Sequence, residues 1–485
     1  MDRREYLRRQ SLARRRKNRR RKKLMRIAAI AGLGVAVILL VVLIIFGGKK
    51  LISFLGNHVG KDQETLGVIT EKEKEEQKRQ TAIDEAKYLA LTYDYDAAIE
   101  VLKGIKDYEV DEEIETLILE IEGERDSCVP VNIDEVTHIF YHSLIVDTER
   151  AFANHDTDNQ AVGNNQWMTT IDEFNKITQT MYDNGYVMVS IHDLIEVVQD
   201  ENGNTTYEPA TIMLPKGKKA FVLSLDDLSY YHAYDGYGYA TKLVIDENGK
   251  VMNEYTDAQG NTLIGAYDVV PLMDQFVEEH PDASYRGAKG IIALTGYNGV
   301  LGYRTDETYD LSNPDCDIHQ QAWIKAHPDF TLENEIAEAT KVANAMKENG
   351  WEFGSHTWGH IRVGSRNLET IKTDTEKWRR NVEPIVGATD TIIFAHGEDL
   401  EGRGDYSESN AKYQYLRSQG YTIFCNVDSN LYTTWFGDDY MRQGRRNIDG
   451  YRLYRNVTGA EDNLSDLFNA ADILDPSRPP VKSLS

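Results

Sequence analysis

The sequence predicts an α/β fold over residues 130–475, a mainly parallel sheet or barrel with outer helices. In this segment short apolar runs alternate with longer amphipathic segments, as in consecutive βα units. The chain of 485 residues is also long enough to bury a large core. It contains three cysteines, too few and too scattered for a disulfide framework, so the core must supply the stability.

Each predicted element rests on its own pattern of apolar residues. Residues 170–184 are predicted as a helix because Ile171, Phe174, Ile177 and Met181 recur on one face. Further helices are predicted over 269–280, 331–349 and 412–419, and strands over 137–142, 186–191, 221–225, 290–294, 392–394 and 422–424. An Asn-Gly pair is typical of a tight turn, so an inserted β-hairpin is predicted over 242–264. Residues 438–454 are rich in arginine and are predicted as a late strand or loop near the cleft of the fold.

Charge is distributed very unevenly along the chain. Residues 1–26 contain 14 Lys or Arg and two Asp or Glu, which gives this arm a net charge of +12. The whole chain has a formal net charge of −25, so the remainder carries −37. A body this acidic argues against nucleic acid as a partner, because phosphate contacts need Lys and Arg.

An uncharged segment follows the basic arm. Residues 27–48 would span about 33 Å as a helix, enough for a bilayer core of about 30 Å. The segment is longer than the apolar region of a signal peptide, and Lys49 and Lys50 follow it in place of a cleavage site. We therefore predict an uncleaved single-pass anchor in the cell membrane, with the N-terminus in the cytoplasm and the rest of the chain extracellular.

Residues 49–127 are predicted as a helical stalk. An amphipathic helix at 82–90 is followed by a Tyr-Asp-Tyr-Asp turn and by further helices at 97–102 and 111–125. This order resembles one tetratricopeptide unit, but a single unit is too short for a solenoid. A spacer that packs its own apolar stripe is favoured over a peptide-binding groove.

Two histidines and two aspartates are the strongest candidates for chemistry. His356 and His360 lie four residues apart, so both imidazoles can face one metal ion. The hydrophobic strand 221–225 runs into Asp226 and Asp227, one of which could complete the metal site while its neighbour acts as a base. Such a site binds and activates water, which suggests hydrolysis. The alternative for the histidine pair is two satisfied residues on a helix surface.

These residues resemble the first two motifs of the polysaccharide deacetylases, the NodB-homology group of carbohydrate esterase family 4. The first motif is altered, with Ser-Leu-Asp-Asp-Leu in place of Thr-Phe-Asp-Asp-Gly, whereas the His-Thr-x-x-His motif is complete. Over residues 130–475 the resemblance implies a distorted (β/α) barrel of the NodB type, preceded by the transmembrane helix and the small all-helical spacer. It also implies that Asp226 is the general base and that Asp227, His356 and His360 bind a divalent metal ion, with zinc expected.

The catalytic acid is assigned from a second resemblance. The opening strand ends in Phe-Tyr-His, as in the exopolysaccharide-deacetylase branch, where the strand's histidine is the acid; His142 is therefore the candidate. A buried, hydrogen-bonded strand histidine is the alternative.

The third motif departs from the family, because His396 and Gly397 follow Phe-Ala where Pro-Tyr is usual. A backbone N–H of this loop can still bind an oxyanion, and His396 is a second candidate for the acid. Trp435 is a candidate aromatic wall, with a core position as the alternative.

The predicted function is that of a membrane-anchored extracellular deacetylase, a metal-dependent hydrolase that removes N-acetyl groups from an aminosugar polymer. The polymer is peptidoglycan or an exopolysaccharide. The predicted organisation is a basic arm (1–26), a transmembrane helix (27–48), the stalk (49–127), the deacetylase domain (130–475) and a tail (476–485). The alternative is a catalytically inactive, membrane-tethered glycan-binding domain of the same fold, which the altered first and third motifs suggest.

Overall fold

The computed structural model describes residues 71–199, 205–402, 404–428 and 434–483. Residues from Glu76 to the end of the chain form one compact unit. The predicted basic arm and transmembrane helix lie outside the described residues. Within the described ranges, no helix combines the length and the apolar character needed to cross a membrane.

Seven parallel strands close into a barrel. Along the chain, each strand of the ring pairs with the ring strand before it and with the one after it. The ring closes because the last strand pairs with the first, at Arg446 beside Ile139 and Asn447 beside Phe140. The strands are β1 (Thr137–Tyr141), β2 (Lys219–Asp226), β3 (Ile291–Leu294), β4 (Glu352–Ser355), β5 (Thr391–Ile393), β6 (Ile423–Val427) and β7 (Met441–Asn447). The prediction of a parallel barrel within an α/β fold is confirmed, with seven strands in the ring.

The barrel departs from a regular ring between β2 and β3. Residues 224–226 of β2 pair with β3, whereas residues 219–221 pair with an additional short strand, Tyr186–Met188. The short strand therefore fills the amino-terminal part of the wall where β3 does not reach. Asp226, the last residue of β2, pairs with Ala293 of β3, and Asp227 follows it directly.

Amphipathic helices form the outer layer. Helix Ile171–Asp183, for example, begins with a capping box between Thr170 and Glu173 and buries Phe174 and Ile177. The other helices after residue 130 are Thr148–Ala151, Asn159–Trp167, Val269–Glu279, Ile318–Ala326, Leu332–Glu348, Leu368–Asn381, Glu383–Val386, Ala411–Ser418, Gly450–Val457 and Ala470–Ile473. Strands outside the ring are Cys128–Pro130, Ile195–Gln199, Thr205–Pro209, Met213–Pro215, Ala240–Ile245, Val251–Thr256, Thr262–Gly265 and Thr434–Phe436. The predicted hairpin insert is thus a three-stranded antiparallel sheet.

The side chains inside the barrel change character along the strands. Near the carboxyl ends, Ser224 and Asp226 of β2 contact Arg445 of β7, so this layer is polar. Val222 faces the same side as Ser224 because strand residues alternate with period two, and it is buried in an apolar cluster. The interior is therefore polar toward the carboxyl ends and apolar toward the amino ends.

Three helices precede the barrel: Glu71–Leu91, Tyr95–Lys103 and Glu112–Ser127. Their buried residues, among them Ile83, Ile99 and Ile114, belong to the same apolar cluster as Val222 and Ile423 of the barrel. The helical segment therefore shares a core with the amino-terminal end of the barrel, in addition to packing its own stripe.

Polar contacts join the same two parts. The backbone N–H of Arg286 donates to the Thr92 carbonyl at 2.8 Å. The Tyr93 hydroxyl donates to the Asp282 carbonyl at 2.6 Å, and its ring stacks on Tyr285 with centroids 6.3 Å apart. These contacts fix the turn between the first two helices against the loop before β3.

His192 links the amino ends of two barrel strands. Its two ring nitrogens each lie 3.0 Å from a carboxylate oxygen, one of Glu352 in β4 and one of Asp390 just before β5. Burial alone would lower the pKa of His192, but the hydrogen bonds to Asp390 and Glu352 outweigh it and raise the pKa to about 10. The ring is therefore an imidazolium at neutral pH that ties β4 to β5.

Replacement of Ile99 by Ala should destabilise the barrel as well as the helices, because Ile99 lies in the shared cluster. We expect a loss of about 2–5 kcal/mol in the free energy of unfolding, the usual cost of such a cavity. All six tryptophans lie after residue 127, so tryptophan fluorescence during urea unfolding follows the barrel alone.

Val110, which is 82% exposed in the same helical segment, provides the control. Val110→Ala should change the unfolding free energy by less than about 0.5 kcal/mol. An unchanged tryptophan transition in the Ile99→Ala protein would show that the helices and the barrel unfold independently.

Candidate active site

The carboxyl ends of the strands meet at one rim of the barrel, where a cleft of about 510 Å³ opens. Parallel strands direct the residues that follow them to the same edge, which explains why segments far apart in the sequence meet here. All six site residues predicted from the sequence line this cleft: His142, Asp226, Asp227, His356, His360 and His396.

Three of these residues form a candidate metal centre. Asp227, His356 and His360 each offer one ligand atom, and these atoms lie within 4.8 Å of one another. The Nδ1–H of His356 donates to the Ile393 carbonyl at 2.7 Å, which leaves Nε2 as the unprotonated ligand atom. One carboxylate and two imidazoles, with space for water in the cleft, fit a catalytic divalent metal ion such as zinc.

A loop after β4, and not a helix, carries the two histidines. Thr357 and His360 adopt left-handed backbone conformations, with φ of 65° and 52°. The Thr357 hydroxyl accepts a hydrogen bond from the Ile361 N–H at 2.9 Å, which closes the loop. The rings of His356 and His360 consequently lie with centroids 5.0 Å apart on the same side.

Asp227 is oriented by its backbone and by a tyrosine. Its φ is 61°, and its N–H donates to the Ala293 carbonyl of β3 at 3.2 Å. The Tyr231 hydroxyl donates to Oδ1 at 2.6 Å, while Oδ2 lies 3.6 Å from His360 Nε2. Burial opposes ionisation, but the nearby imidazoles of His360 and His356 hold the pKa of Asp227 below its usual value. One oxygen is therefore held by the protein and the other faces the centre.

Asp226 is paired with a buried arginine. Arg445 donates from Nη1 to Oδ1 at 2.7 Å and from Nη2 to Oδ2 at 2.9 Å, and its guanidinium lies 4.1 Å from the Phe140 ring centroid. Burial would raise the pKa of Asp226, but the Arg445 charge holds it well below its usual range. Asp226 is thus ionised, and its Oδ2 lies 3.8 Å from His356 Nε2, beside the metal centre.

A second polar layer supports Arg445 from below. The Ser224 hydroxyl accepts from Arg445 Nη1 at 3.1 Å and lies 2.9 Å from Nε2 of His138. Nδ1 of His138 lies 2.9 Å from the Gln443 side-chain oxygen. Burial lowers the pKa of His138 to about 3, so the ring is neutral and donates to Gln443. The position of the carboxylate at the rim therefore depends on strands β1, β2 and β7 together.

The two candidate acids occupy different parts of the cleft. His142 follows β1, and its ring packs against Phe140 with centroids 5.8 Å apart. His396 has a left-handed φ of 59°, and its ring lies 4.3 Å from that of His360. Burial, followed by the charge of His360, lowers the pKa of His396 to about 4. The Gly397 N–H donates to the Phe394 carbonyl at 3.0 Å, so it is engaged within its own loop.

The structure adds a partner for Arg445 and a second aromatic residue to the predicted site, and it places Trp435 away from the cleft. The sequence predicts that the segment with Arg445 lies near the cleft but does not pair it with Asp226; the signal for a buried ion pair is the presence of three arginines in a seven-residue strand. Trp167 lines the cleft with 38% of its surface exposed and was not singled out. Trp435 packs on the Arg442 guanidinium at 5.2 Å and is absent from the residues that line the cleft.

Replacement of Arg445 by Met should strongly destabilise the protein, because Asp226 is then a buried carboxylate without its partner. We expect a loss of about 3–5 kcal/mol in unfolding free energy, measured by urea unfolding. The double variant Arg445→Met, Asp226→Asn should be less destabilised than the single variant, since it leaves no buried charge. Equal stability of Arg445→Met and the unmodified protein would show that this ion pair does not hold the barrel rim.

Comparison with known proteins gives a family match over part of the barrel. A family model for polysaccharide deacetylase matches residues 317–421, a segment that includes His356 and His360. Asp226 and Asp227 lie outside the matched segment, and the barrel brings them next to its two histidines. No curated protein matches the chain at a significant level. Among solved structures, Streptococcus pyogenes deacetylase PplD in complex with acetate is similar at 13% identity and a TM-score of 0.33, over 66% of this chain and 94% of that one.

Proposed function

We propose that this protein hydrolyses N-acetyl groups on an extracellular aminosugar polymer, because residues 317–421 match the family model for polysaccharide deacetylase. The family supports a hydrolase that acts on amide bonds in polysaccharides. The observation that carries the proposal is the placement of Asp226 beside the cluster of Asp227, His356 and His360, at the open rim of a closed barrel. Metal-assisted hydrolysis uses this combination of ligands and an adjacent base.

Asp227, His356 and His360 would hold the metal ion. The donor set of one carboxylate oxygen and two imidazole nitrogens is that of catalytic zinc sites, which keep a position for water. When bound, such an ion polarises the acetyl carbonyl and makes water a stronger nucleophile at neutral pH. The hydrogen bond from His356 to the Ile393 carbonyl and that from Tyr231 to Asp227 orient two of the ligands.

Side chains of the protein carry out the proton transfers of the proposed reaction. Asp226, kept ionised by Arg445, accepts the proton of the attacking water. His142, on the β1 side of the same cleft, donates a proton to the amine that leaves. The backbone N–H of His396 is the proposed donor to the oxyanion, because the Gly397 N–H is engaged within the loop. Acetate and a free amino sugar result.

The cleft also suits a glycan. Trp167 and Tyr234 contribute aromatic surface to its lining, and aromatic rings pack well against the apolar faces of sugars. Polar side chains, including Asn447 and Arg362, lie around the same opening. Peptidoglycan and an exopolysaccharide both present the N-acetylated amino sugar that this chemistry requires.

The test is acetate release from chitooligosaccharides by the purified, zinc-loaded protein. Asp226→Asn should retain its metal, measured by inductively coupled plasma mass spectrometry, and lose about 10²–10⁴-fold in kcat, the usual contribution of a general base. His356→Ala should lose both the metal and the activity. His319→Ala, at an exposed histidine outside the cleft, is the matched control and should retain both.

Other outcomes separate the alternatives. An active Asp226→Asn protein would exclude Asp226 as the base, and full metal content in His356→Ala would exclude the proposed ligand set. A wild-type rate in His142→Ala, with a loss in His396→Ala, would move the acid to His396. A protein that retains metal and binds glycans but releases no acetate would be the inactive glycan-binding domain.

We further propose that residues 27–48 anchor the protein in the cell membrane, with the N-terminus in the cytoplasm and the barrel outside. Support comes from the sequence alone, through the uncharged run and the basic arm before it. The full-length protein should remain with the membrane fraction after a carbonate wash, and deletion of residues 27–48 should release it. Release of the full-length protein by the wash would exclude the anchor.

A further inference from the structure

The three residues between the metal-binding histidines contribute no ligand, yet their backbone is held by a side chain from another element. Asp374 lies in the middle of helix Leu368–Asn381 and is buried. Its Oδ1 accepts the Trp358 N–H at 2.7 Å, and its Oδ2 accepts the Gly359 N–H at 2.8 Å. One carboxylate therefore binds two consecutive peptide groups of this loop.

The approach of Asp374 to the loop is close. A Cβ atom at position 359 would lie 3.1 Å from Oδ2 of Asp374, so glycine allows the contact. Among the described residues, Asp374 takes part in no ion pair within 4.0 Å. Burial of a carboxylate is costly, and the two backbone donors offset part of that cost together with the nearby Lys377 ammonium.

Trp358 is fixed on its other sides as well. Its indole N–H donates to Asp306 at 2.6 Å, and the Lys377 ammonium lies 4.1 Å from its ring centroid. Its carbonyl accepts the N–H groups of Gly296 and Tyr297 at 2.9 and 3.1 Å. Asp374 is thus the part of this framework that acts directly on the peptide groups between the two histidines.

These contacts explain how an unfavourable loop conformation persists. Thr357 and His360 flank the two clamped peptide groups and have positive φ, which non-glycine residues adopt at a cost in free energy. Such conformations persist where surrounding contacts determine them more than once. Release of Trp358 and Gly359 would allow the loop to relax and change the direction of the His360 imidazole relative to His356.

We propose that Asp374 is a positioning residue of the metal centre, which sets the separation of the His356 and His360 imidazoles by clamping the loop between them. It touches neither substrate nor metal and acts through the backbone of Trp358 and Gly359. The proposal rests on the proposed metal site. It does not depend on which polymer is hydrolysed.

The test is titration of metal-free protein with Co²⁺, followed by the visible absorption of the bound ion, which reports coordination geometry. Asp374→Asn retains one acceptor oxygen but turns an NH₂ group toward the second N–H. We expect the Kd for Co²⁺ to rise about 10–100-fold and the absorption bands to shift, as for other residues that orient metal ligands. Glu376→Gln, the same chemical change at an exposed position of the same helix, should alter neither.

The thermal unfolding of the metal-free variants separates positioning from general stability. If Asp374→Asn does not fold, Gly359→Ala tests the same contact from the loop side and should also weaken Co²⁺ binding. Wild-type affinity and spectrum in a folded Asp374→Asn or Gly359→Ala protein would overturn the proposal. Wild-type protein that binds Co²⁺ but releases no acetate would instead contradict the proposed function and leave the role of Asp374 intact.

Discussion

Closure of the seven parallel strands is the constraint on which the other features depend. Because β1 pairs with both β7 and β2, the side chains of β2 and β7 face one interior, and Arg445 meets Asp226 there. The same closure directs the residues after β2 and β4 to one rim, where Asp227 approaches the two imidazoles. An open sheet of the same strands would leave β1 and β7 as edges and would separate the carboxylates from the guanidinium.

Electrostatics divides the barrel along its axis. Near the rim, an arginine neutralises one aspartate, and histidines face the other, so that two adjacent carboxylates both stay ionised in a buried place. Farther down, His138 is neutral because burial lowers its pKa. Its ring accepts a hydrogen bond from the Ser224 hydroxyl and donates one to the Gln443 side-chain oxygen. Below this layer the interior is apolar and continues into the N-terminal helices. Among the described residues that fill the lumen, the charged groups therefore lie at the end of the barrel at which chemistry is proposed.

The elements were predictable where a local pattern decides them. Helix Ile171–Asp183 and strand β2 follow from the spacing of their apolar residues, and the His-x-x-x-His pair follows from its motif. The partner of Arg445 and the role of Asp374 could not be found in this way, because the sequence does not show which other element a charged side chain meets. Their partners lie 219 and 16 residues away and become neighbours only through barrel closure and helix packing. The packing of the N-terminal helices on the barrel could not be predicted from the sequence for the same reason. Their amphipathic pattern identifies the apolar face but not the element against which this face packs.

The helices at the amino-terminal end also determine from which direction a long molecule can approach. The polar layer of His138 and Arg445 fills the lumen from above and the shared apolar cluster fills it from below, so the barrel is not a tunnel. The proposed glycan substrate therefore has access to Asp226 only from the open rim at the carboxyl ends of the strands.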